Sequence, residues 1–207
     1  MNAQETRLYI AAEAAKLLAE QQTLDYGWAR HKAAQSAGVR GERNLPDFAL
    51  IEASLTDYLE LFHPQRNSLQ QLQTRSLKLM KLLSAFHPHL SGALSRGIAV
   101  RFATVTLYLY ADSAKDVLFR LMDLSANFES LDVKLSFQRG TEESRPAFRI
   151  NFDDTEYVLV VLQPGEQRHP PIDPVTGKAE RGVGVEALLK MVEKEVGSMQ
   201  SSVGRET

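Results

Sequence analysis

The amino-acid sequence predicts an α+β protein in which an N-terminal helical region precedes a domain built on a mixed sheet. Three observations lead to this fold class. The first part of the chain carries strong helix formers and apolar residues at helical spacing. Residues 102–110 then alternate between two kinds of side chain with the two-residue period of a strand. Further strand-like runs follow, and a last helical pattern comes after them.

Residues 1–62 are assigned to the helical N-terminal region. Ala, Leu, Glu and Lys predominate in its first segment, Gly38 stops the second, and Pro46 opens the third. The predicted helices cover residues 4–22, 26–37 and 46–62.

Residues 63–196 are assigned to the α+β domain, and residues 197–207 to a flexible tail. Ser113 is the expected N-cap of a helix that follows the central strand. A long loop with several Pro and Gly residues occupies positions 163–182, and loops of this length are often functional. The remaining predictions are helices at 68–86 and 185–196 and strands at 131–138, 147–152 and 156–162, with a hairpin turn at 151–155.

The composition is that of an ordinary globular protein, with 43% hydrophobic and 24% charged residues. The chain has no cysteine, which excludes disulfides, thiolate nucleophiles and Cys-ligated zinc. We find neither an apolar run of the roughly 18 residues that a membrane span needs nor a signal-peptide pattern. We therefore expect a cytoplasmic protein that does not bind membranes.

The charge distribution points to an anion-facing region in the middle of the chain. No Asp or Glu lies between Glu60 and Asp112. That interval carries six fixed positive charges: Arg66, Arg75, Lys78, Lys81, Arg96 and Arg101. Arg75, Lys78 and Lys81 share one face of the predicted 68–86 helix, either as a solvated surface or as a stripe that follows a phosphate backbone.

A glycine turn leads into the central strand. Its sequence, from Gly92 to Gly97, is Gly-Ala-Leu-Ser-Arg-Gly, and backbone N–H groups in such turns can bind phosphate. Guanidinium groups add charge and parallel hydrogen bonds. The candidate phosphate-binding residues are Gly92, Ala93, Arg96, Gly97 and Arg101.

The turn and strand resemble the signature of the nucleotidyltransferase superfamily. In that family a Gly-Ser turn precedes a strand with Asp-x-Asp, and a later strand carries a third carboxylate. Together the carboxylates bind two magnesium ions. The resemblance covers roughly residues 66–162 and implies a nucleotidyltransferase-like domain.

The family's motif positions are altered in this chain. The Gly of the turn falls on Gly92, its Ser on Ala93 and its later Gly on Gly97. The Asp-x-Asp pair falls on Thr104 and Thr106, and the third carboxylate near Val158, so every carboxylate is replaced by a neutral side chain. The resemblance therefore implies a degenerate member without a bound metal.

Several functions follow from this interpretation. The first is non-catalytic recognition of a phosphate-bearing ligand, either a nucleotide or RNA. The second is an active, magnesium-dependent nucleotidyltransferase that uses displaced carboxylates, with Asp112 as the substitute, since Asp112 shares the parity of Thr104. The third is a protein-interaction module whose basic helix and long loop bind an acidic partner. An unrelated α+β fold without this chemistry has the same pattern of elements, and the sequence leaves the oligomeric state open.

Overall fold

The computed structural model describes residues 2–39, 41–62, 66–100, 103–138 and 140–203, without the side chains of 66–68 and 195–203. The protein is α+β, with N-terminal helices followed by a six-stranded mixed sheet, as the sequence predicts. The chain divides into two compact units. The first comprises Met1–Arg66, Val100–Ala103 and Asp173–Lys178, and the second comprises Asn67–Ala99, Thr104–Ile172 and Ala179–Thr207.

Three helices build the first unit: α1 (Ala3–Gln21), α2 (Tyr26–Ser36) and α3 (Phe48–Phe62). Each begins at a polar side chain that accepts a hydrogen bond from a backbone N–H of the first turn. Asn2 caps α1, Asp25 caps α2, and the Asp47 carboxylate accepts from the Leu50 N–H at 2.8 Å. Because Asp47 is the cap, α3 starts two residues after Pro46, the predicted first residue.

The second unit contains the sheet and three helices. In chain order its elements are α4 (Arg66–Leu82), β1 (His89–Ser91), β2 (Val105–Tyr110), α5 (Ala114–Asp123), β3 (Phe128–Ser136), β4 (Glu142–Phe152), β5 (Thr155–Leu162), β6 (Val183–Gly184) and α6 (Val185–Val203). Only the first residue of α4 falls in the other unit. The strand order is β3-β4-β5-β2-β1-β6. Among the described strands β2 and β5 pair in parallel, and every other pair is antiparallel.

The two faces of β2 belong to two different hydrophobic clusters, which confirms the predicted alternation for residues 105–110. Val105, Leu107 and Leu109 pack with buried residues of β5, α4, α5 and α6, so the helices cover this face. Tyr108 and Tyr110 pack on the opposite face with Val160 and other apolar residues of β4 and β5. Phe102, which the sequence places on the tyrosine face, lies outside the described residues.

Both faces of the second half of β2 are buried. Tyr108 and Tyr110 are buried, because the sheet carries a second cluster on this face and the 3-10 helix Pro164–Gln167 packs against β2. At the other end of the face, Thr104 is exposed and Thr106 is partly exposed. The open part of this face is therefore restricted to the end where β2 begins.

Several element ends differ from the predicted ones. β1 and β6 have three and two residues, too few to give a periodic signal, and exist because they pair with neighbours. β4 begins at Glu142 rather than at residue 147, since its first half pairs with β3 alone and tolerates Pro146 there. α6 continues through Val203, seven residues past the predicted end at Val196, while the flexibility of residues 197–207 stays a prediction.

The hairpin between β4 and β5 has the predicted turn chemistry. Asp153 and Asp154 both adopt positive φ angles, 50° and 57°. Asp tolerates this left-handed conformation better than most residues, and two such residues in succession suit a tight hairpin. Within the described residues, none of the helices combines the length and apolar character that crossing a membrane requires.

Replacing Tyr110 by Phe should raise the free energy of unfolding by about 1 kcal/mol at neutral pH. The Tyr110 hydroxyl is buried and has no hydrogen-bond partner among the described residues. Burial raises the pKa of Tyr110 to about 12. Because the folded pKa exceeds the unfolded value, ionisation of Tyr110 leaves the free energy of unfolding unchanged below about pH 10 and lowers it progressively as pH rises towards 12.

Urea unfolding at pH 7 and at alkaline pH measures both effects. Tyr110→Phe should be more stable than wild type at pH 7 and should lose less stability between pH 10 and 12. Tyr9→Phe removes a hydroxyl from a side chain that is 49% exposed and should change neither value. A Tyr110→Phe variant that is less stable at pH 7 would show that the hydroxyl has a favourable partner.

Candidate functional site

Strand pairing brings the glycine turn to the beginning of β2. β1 runs antiparallel to β2, and Ser91 pairs with Thr106. The chain leaves β1 at Ser91 and enters the turn at once, so residues 92–97 lie at the same end of the sheet as Thr104. The turn is opened by Gly92 and ended by Gly97, with φ angles of 73° and 83°, values that favour glycine.

Donors of this turn converge on the carboxylate of Glu180. The Gly92 N–H donates to Glu180 Oε1 at 3.2 Å, and Nη1 of Arg96 donates to Oε2 at 3.3 Å. The Ser95 hydroxyl lies 2.7 Å from Glu180 Oε1 and 2.6 Å from the Gly92 carbonyl oxygen, and its one hydrogen serves one of the two at a time. The Arg96 and Glu180 side chains are only 23% and 16% exposed, so the ion pair is partly shielded from water. The turn thus binds an anion, and that anion belongs to the protein.

The predicted phosphate-binding residues have different roles in the structure. Gly92 and Arg96 contact the carboxylate, and Ser95 joins them although the sequence analysis did not select it. The Gly97 N–H donates to Leu94 O within the turn at 3.2 Å and Gly97 ends the turn, while its role in binding phosphate stays a prediction. Ala93 is buried and contributes packing. Arg101 lies outside the described residues.

Thr104, Thr106 and Val158 lie together at the end of the sheet where the turn begins. Thr106 pairs with Val158 across the parallel β2–β5 ladder, and paired residues point to the same face. Thr104 lies two residues before Thr106, on that same face, and its hydroxyl donates to Glu156 Oε1 at 2.5 Å. The three positions that the resemblance assigns to carboxylates are therefore neighbours in space.

Glu156 is a carboxylate of this face that the sequence analysis missed. It lies two residues before Val158, so the two-residue period of β5 was the signal that could have identified it. Glu156 Oε2 is 4.0 Å from Arg149 Nε, and the same guanidinium donates to Glu129 at 2.7 Å. This face therefore carries a charged row of Glu156, Arg149 and Glu129.

The face does not offer a metal site. Among the described residues, no three His, Cys, Asp or Glu side chains lie close enough together to hold a metal ion. Two hydroxyls and a valine supply too little negative charge to offset the dehydration of magnesium. The Glu156 carboxylate is already engaged by Thr104 and Arg149.

Asp112 lies at the wrong end of β2 to replace the missing carboxylates. Thr106 and Tyr110 are four strand residues apart, about 13 Å at 3.3 Å per residue. Asp112 follows Tyr110 in an exposed bend, farther still from the turn. The geometry argues against its suggested role as a substitute metal ligand.

The basic stripe on α4 is partly neutralised by the β4–β5 hairpin. Lys78 Nζ lies 3.2 Å from Asp153 Oδ2, and Arg75 donates to the Thr155 hydroxyl at 3.3 Å. Lys81 is exposed. The sequence contains no acid near these bases, but the fold brings Asp153 to them. Therefore α4 does not present a row of three freely available cations.

We compared the chain with known proteins and found no match. No protein-family model matches the chain, and no curated protein or solved structure is significantly similar to it.

Proposed function

We propose that the protein recognises a phosphate-bearing ligand, a nucleotide, at the turn formed by residues 92–97, and that it does not catalyse nucleotidyl transfer. The observation that carries this proposal is the convergence of Gly92, Ser95 and Arg96 on one carboxylate. A backbone N–H, a hydroxyl and a guanidinium are also the groups that bind phosphate oxygens in proteins.

Two features support binding without transfer. The positions that resemble the metal-binding carboxylates of the nucleotidyltransferase superfamily are Thr104, Thr106 and Val158, which cannot activate a hydroxyl through magnesium. The neighbouring surface on this face is open, since Thr104 is exposed and Thr106 partly so. In this interpretation the protein is a degenerate member of that superfamily and acts in the cytoplasm, where nucleotides are abundant.

A nucleotide is favoured over RNA because two of the basic side chains of α4 are already engaged by other residues of the protein. An RNA strand long enough to reach the helix would need cations there to track its phosphates. Lys78 is paired with Asp153, and Arg75 is engaged by Thr155. Arg96, the guanidinium of the turn itself, suits a short ligand better.

Replacing Arg96 by Ala should weaken binding of ATP or pyrophosphate by about 1–3 kcal/mol, roughly fivefold to 150-fold. The guanidinium supplies a permanent charge and directed hydrogen bonds, so Arg96→Lys should recover only part of the loss. Isothermal titration calorimetry of wild type and variants measures these affinities directly.

Matched controls separate the site from general charge effects. Lys134→Ala removes one positive charge from an exposed position in β3 and should leave the affinity unchanged. Arg75→Ala and Lys78→Ala should also have little effect on a nucleotide. If single-stranded RNA is the ligand instead, all of these except Lys134→Ala weaken binding, and each lost phosphate contact reduces the salt slope by about one unit. Failure of wild type to bind either ligand, together with a folded far-UV spectrum, would refute the proposal.

A further inference from the structure

The sheet ends at β3, and most of the outer edge of this strand has no partner. β3 is the first strand in the sheet order, and its inner side pairs with β4 without interruption from Phe128 to Ser136. Among the described residues, the outer side makes one pairing, an isolated bridge between Ser136 and Ile172. The edge from Phe128 to Leu135 is therefore open to another strand.

Two hydrogen bonds show which backbone groups of β3 point outwards. The Ile172 N–H donates to Ser136 O at 2.7 Å, so the backbone of Ser136 faces outwards. The Phe137 N–H donates to Thr141 O at 3.1 Å, across the β3–β4 connection, so the backbone of Phe137 faces β4. Because backbone direction alternates along a strand, the outward residues of the open edge are 128, 130, 132 and 134.

The open edge lacks the features that keep strands apart. An unpaired edge is a template for another strand, and proteins commonly protect it with Pro or with a bulge. β3 contains neither Pro nor Gly, and its register with β4 is continuous. Leu131, Val133 and Leu135 form an apolar row on one face of the edge and are only partly buried. A further strand would cover this row.

A second copy of the chain can use the whole open edge in one antiparallel register. In a two-fold antiparallel pair, outward residues face outward residues, so the axis passes through a single residue. An axis at residue 132 or 133 would place the partner's Phe128 or the partner's Ser130 against Ser136, whose carbonyl already binds Ile172. An axis at Leu131 pairs residues 128–134 with the same segment of the partner and stops short of Ser136.

The side chains suit the register centred on Leu131. On the apolar face, Leu131 meets Leu131 of the partner subunit at the axis. On the other face, the exposed Ser130 lies opposite the partner's Asp132, and symmetry repeats this pair. A hydroxyl opposite a carboxylate can donate a hydrogen bond to it. This register places no charged side chain directly opposite a like charge, whereas an axis at residue 132 would oppose the two Asp132 carboxylates.

We propose that the protein forms a two-fold symmetric dimer in which β3 pairs with β3 of a second copy, centred on Leu131. The two six-stranded sheets then join into one continuous sheet. The paired segment is short, so we expect a dimer that dissociates on dilution. This surface does not include the turn at residues 92–97, and the inference is independent of the proposed function.

Single cysteines test the register, since the chain has no cysteine of its own. In Leu131→Cys the two thiols face each other at the axis, within the roughly 7 Å between Cα atoms that a disulfide allows. Val133→Cys is the matched control on the same face, where the two copies are offset by four residues, about 13 Å at 3.3 Å per residue. Mild oxidation should link Leu131→Cys into a covalent dimer and leave Val133→Cys a monomer on a non-reducing gel. Equal cross-linking of both variants, or none in Leu131→Cys, would overturn the proposal.

Light scattering after size exclusion tests the dimer without a cross-link. The mass of the wild-type chain should rise with concentration from 23.1 kDa towards twice that value. Ser130→Pro removes an outward N–H and spares the ladder with β4, so it should keep the mass at 23.1 kDa with an unchanged far-UV spectrum. Leu131→Lys sets two like charges at the axis and should do the same without constraining the backbone. A wild type that stays monomeric, or a folded variant of either kind that still dimerises as wild type does, would overturn the proposal.

Discussion

Replacing Gly182 by Ala should lower the free energy of unfolding by about 3–4 kcal/mol. Gly182 has a φ angle of 73°, a conformation that costs a residue with a Cβ about 1–2 kcal/mol. In addition, the new Cβ would overlap the carbonyl oxygen of Leu90 and lie 3.0 Å from its carbonyl carbon. Both atoms belong to the backbone of β1, so relief requires that β6 move away from β1.

Gly140→Ala is a control that isolates the steric part of this effect. Gly140 has a similar φ angle of 70°, but a Cβ there would have nothing within 4 Å. This variant should lose only about 1–2 kcal/mol. Far-UV circular dichroism in urea is the suitable measurement, because the single tryptophan, Trp28, lies in the first unit and does not report on the sheet. Equal losses in the two variants would mean that β6 is not held against β1.

Replacing Arg145 by Met should lower the free energy of unfolding by about 3 kcal/mol. Arg145 Nε donates to Glu166 Oε1 at 3.1 Å, and Nη2 contacts both Glu166 and Glu143. The hydrogen bonds to Glu166 raise the pKa of Arg145 above its ordinary value. The side chains of Arg145 and Glu166 are only 18% and 15% exposed. Removing the guanidinium therefore leaves the Glu166 carboxylate shielded from water without its counter-charge.

Arg149→Met on the same strand is the matched control. The Arg149 and Glu129 side chains of its ion pair are 42% and 66% exposed, and such surface pairs contribute at most about 1 kcal/mol. Arg145→Met combined with Glu166→Gln should recover part of the loss, because the uncompensated charge is then gone. Urea unfolding of the three variants and wild type gives the comparison. Similar losses in Arg145→Met and Arg149→Met would contradict the difference in burial.

Local patterns in the sequence were sufficient to predict much of the second unit. The alternation of β2 follows from a two-residue period that is visible in residues 105–110, and the cap at Ser113 follows from its side-chain chemistry. β1 and β6 could not be predicted in this way, since each is defined by its partner strand rather than by its own pattern.

Only part of the candidate site could be predicted, because some of its residues are close in space but distant in sequence. Gly92 and Arg96 lie in one short segment, so their proximity needs no knowledge of the fold. Glu180 lies more than eighty residues later, in a loop with no periodic pattern, and only the pairing of β6 with β1 brings it near. The charge distribution along the sequence predicted an acid-free region around Lys78. Asp153 is remote from Lys78 in sequence and adjacent to it in space.

The parallel ladder between β2 and β5 has a consequence for synthesis of the chain. The turn and β2 are made first, β5 about fifty residues later, and Glu180 later again. At roughly 5–20 residues per second, the interval between the turn and Glu180 is on the order of ten seconds. During that time the turn on the nascent chain has no internal carboxylate. Its donors therefore meet water and the anions of the surroundings before they meet Glu180, and the contact with Glu180 forms only after the strands on either side of it have been translated.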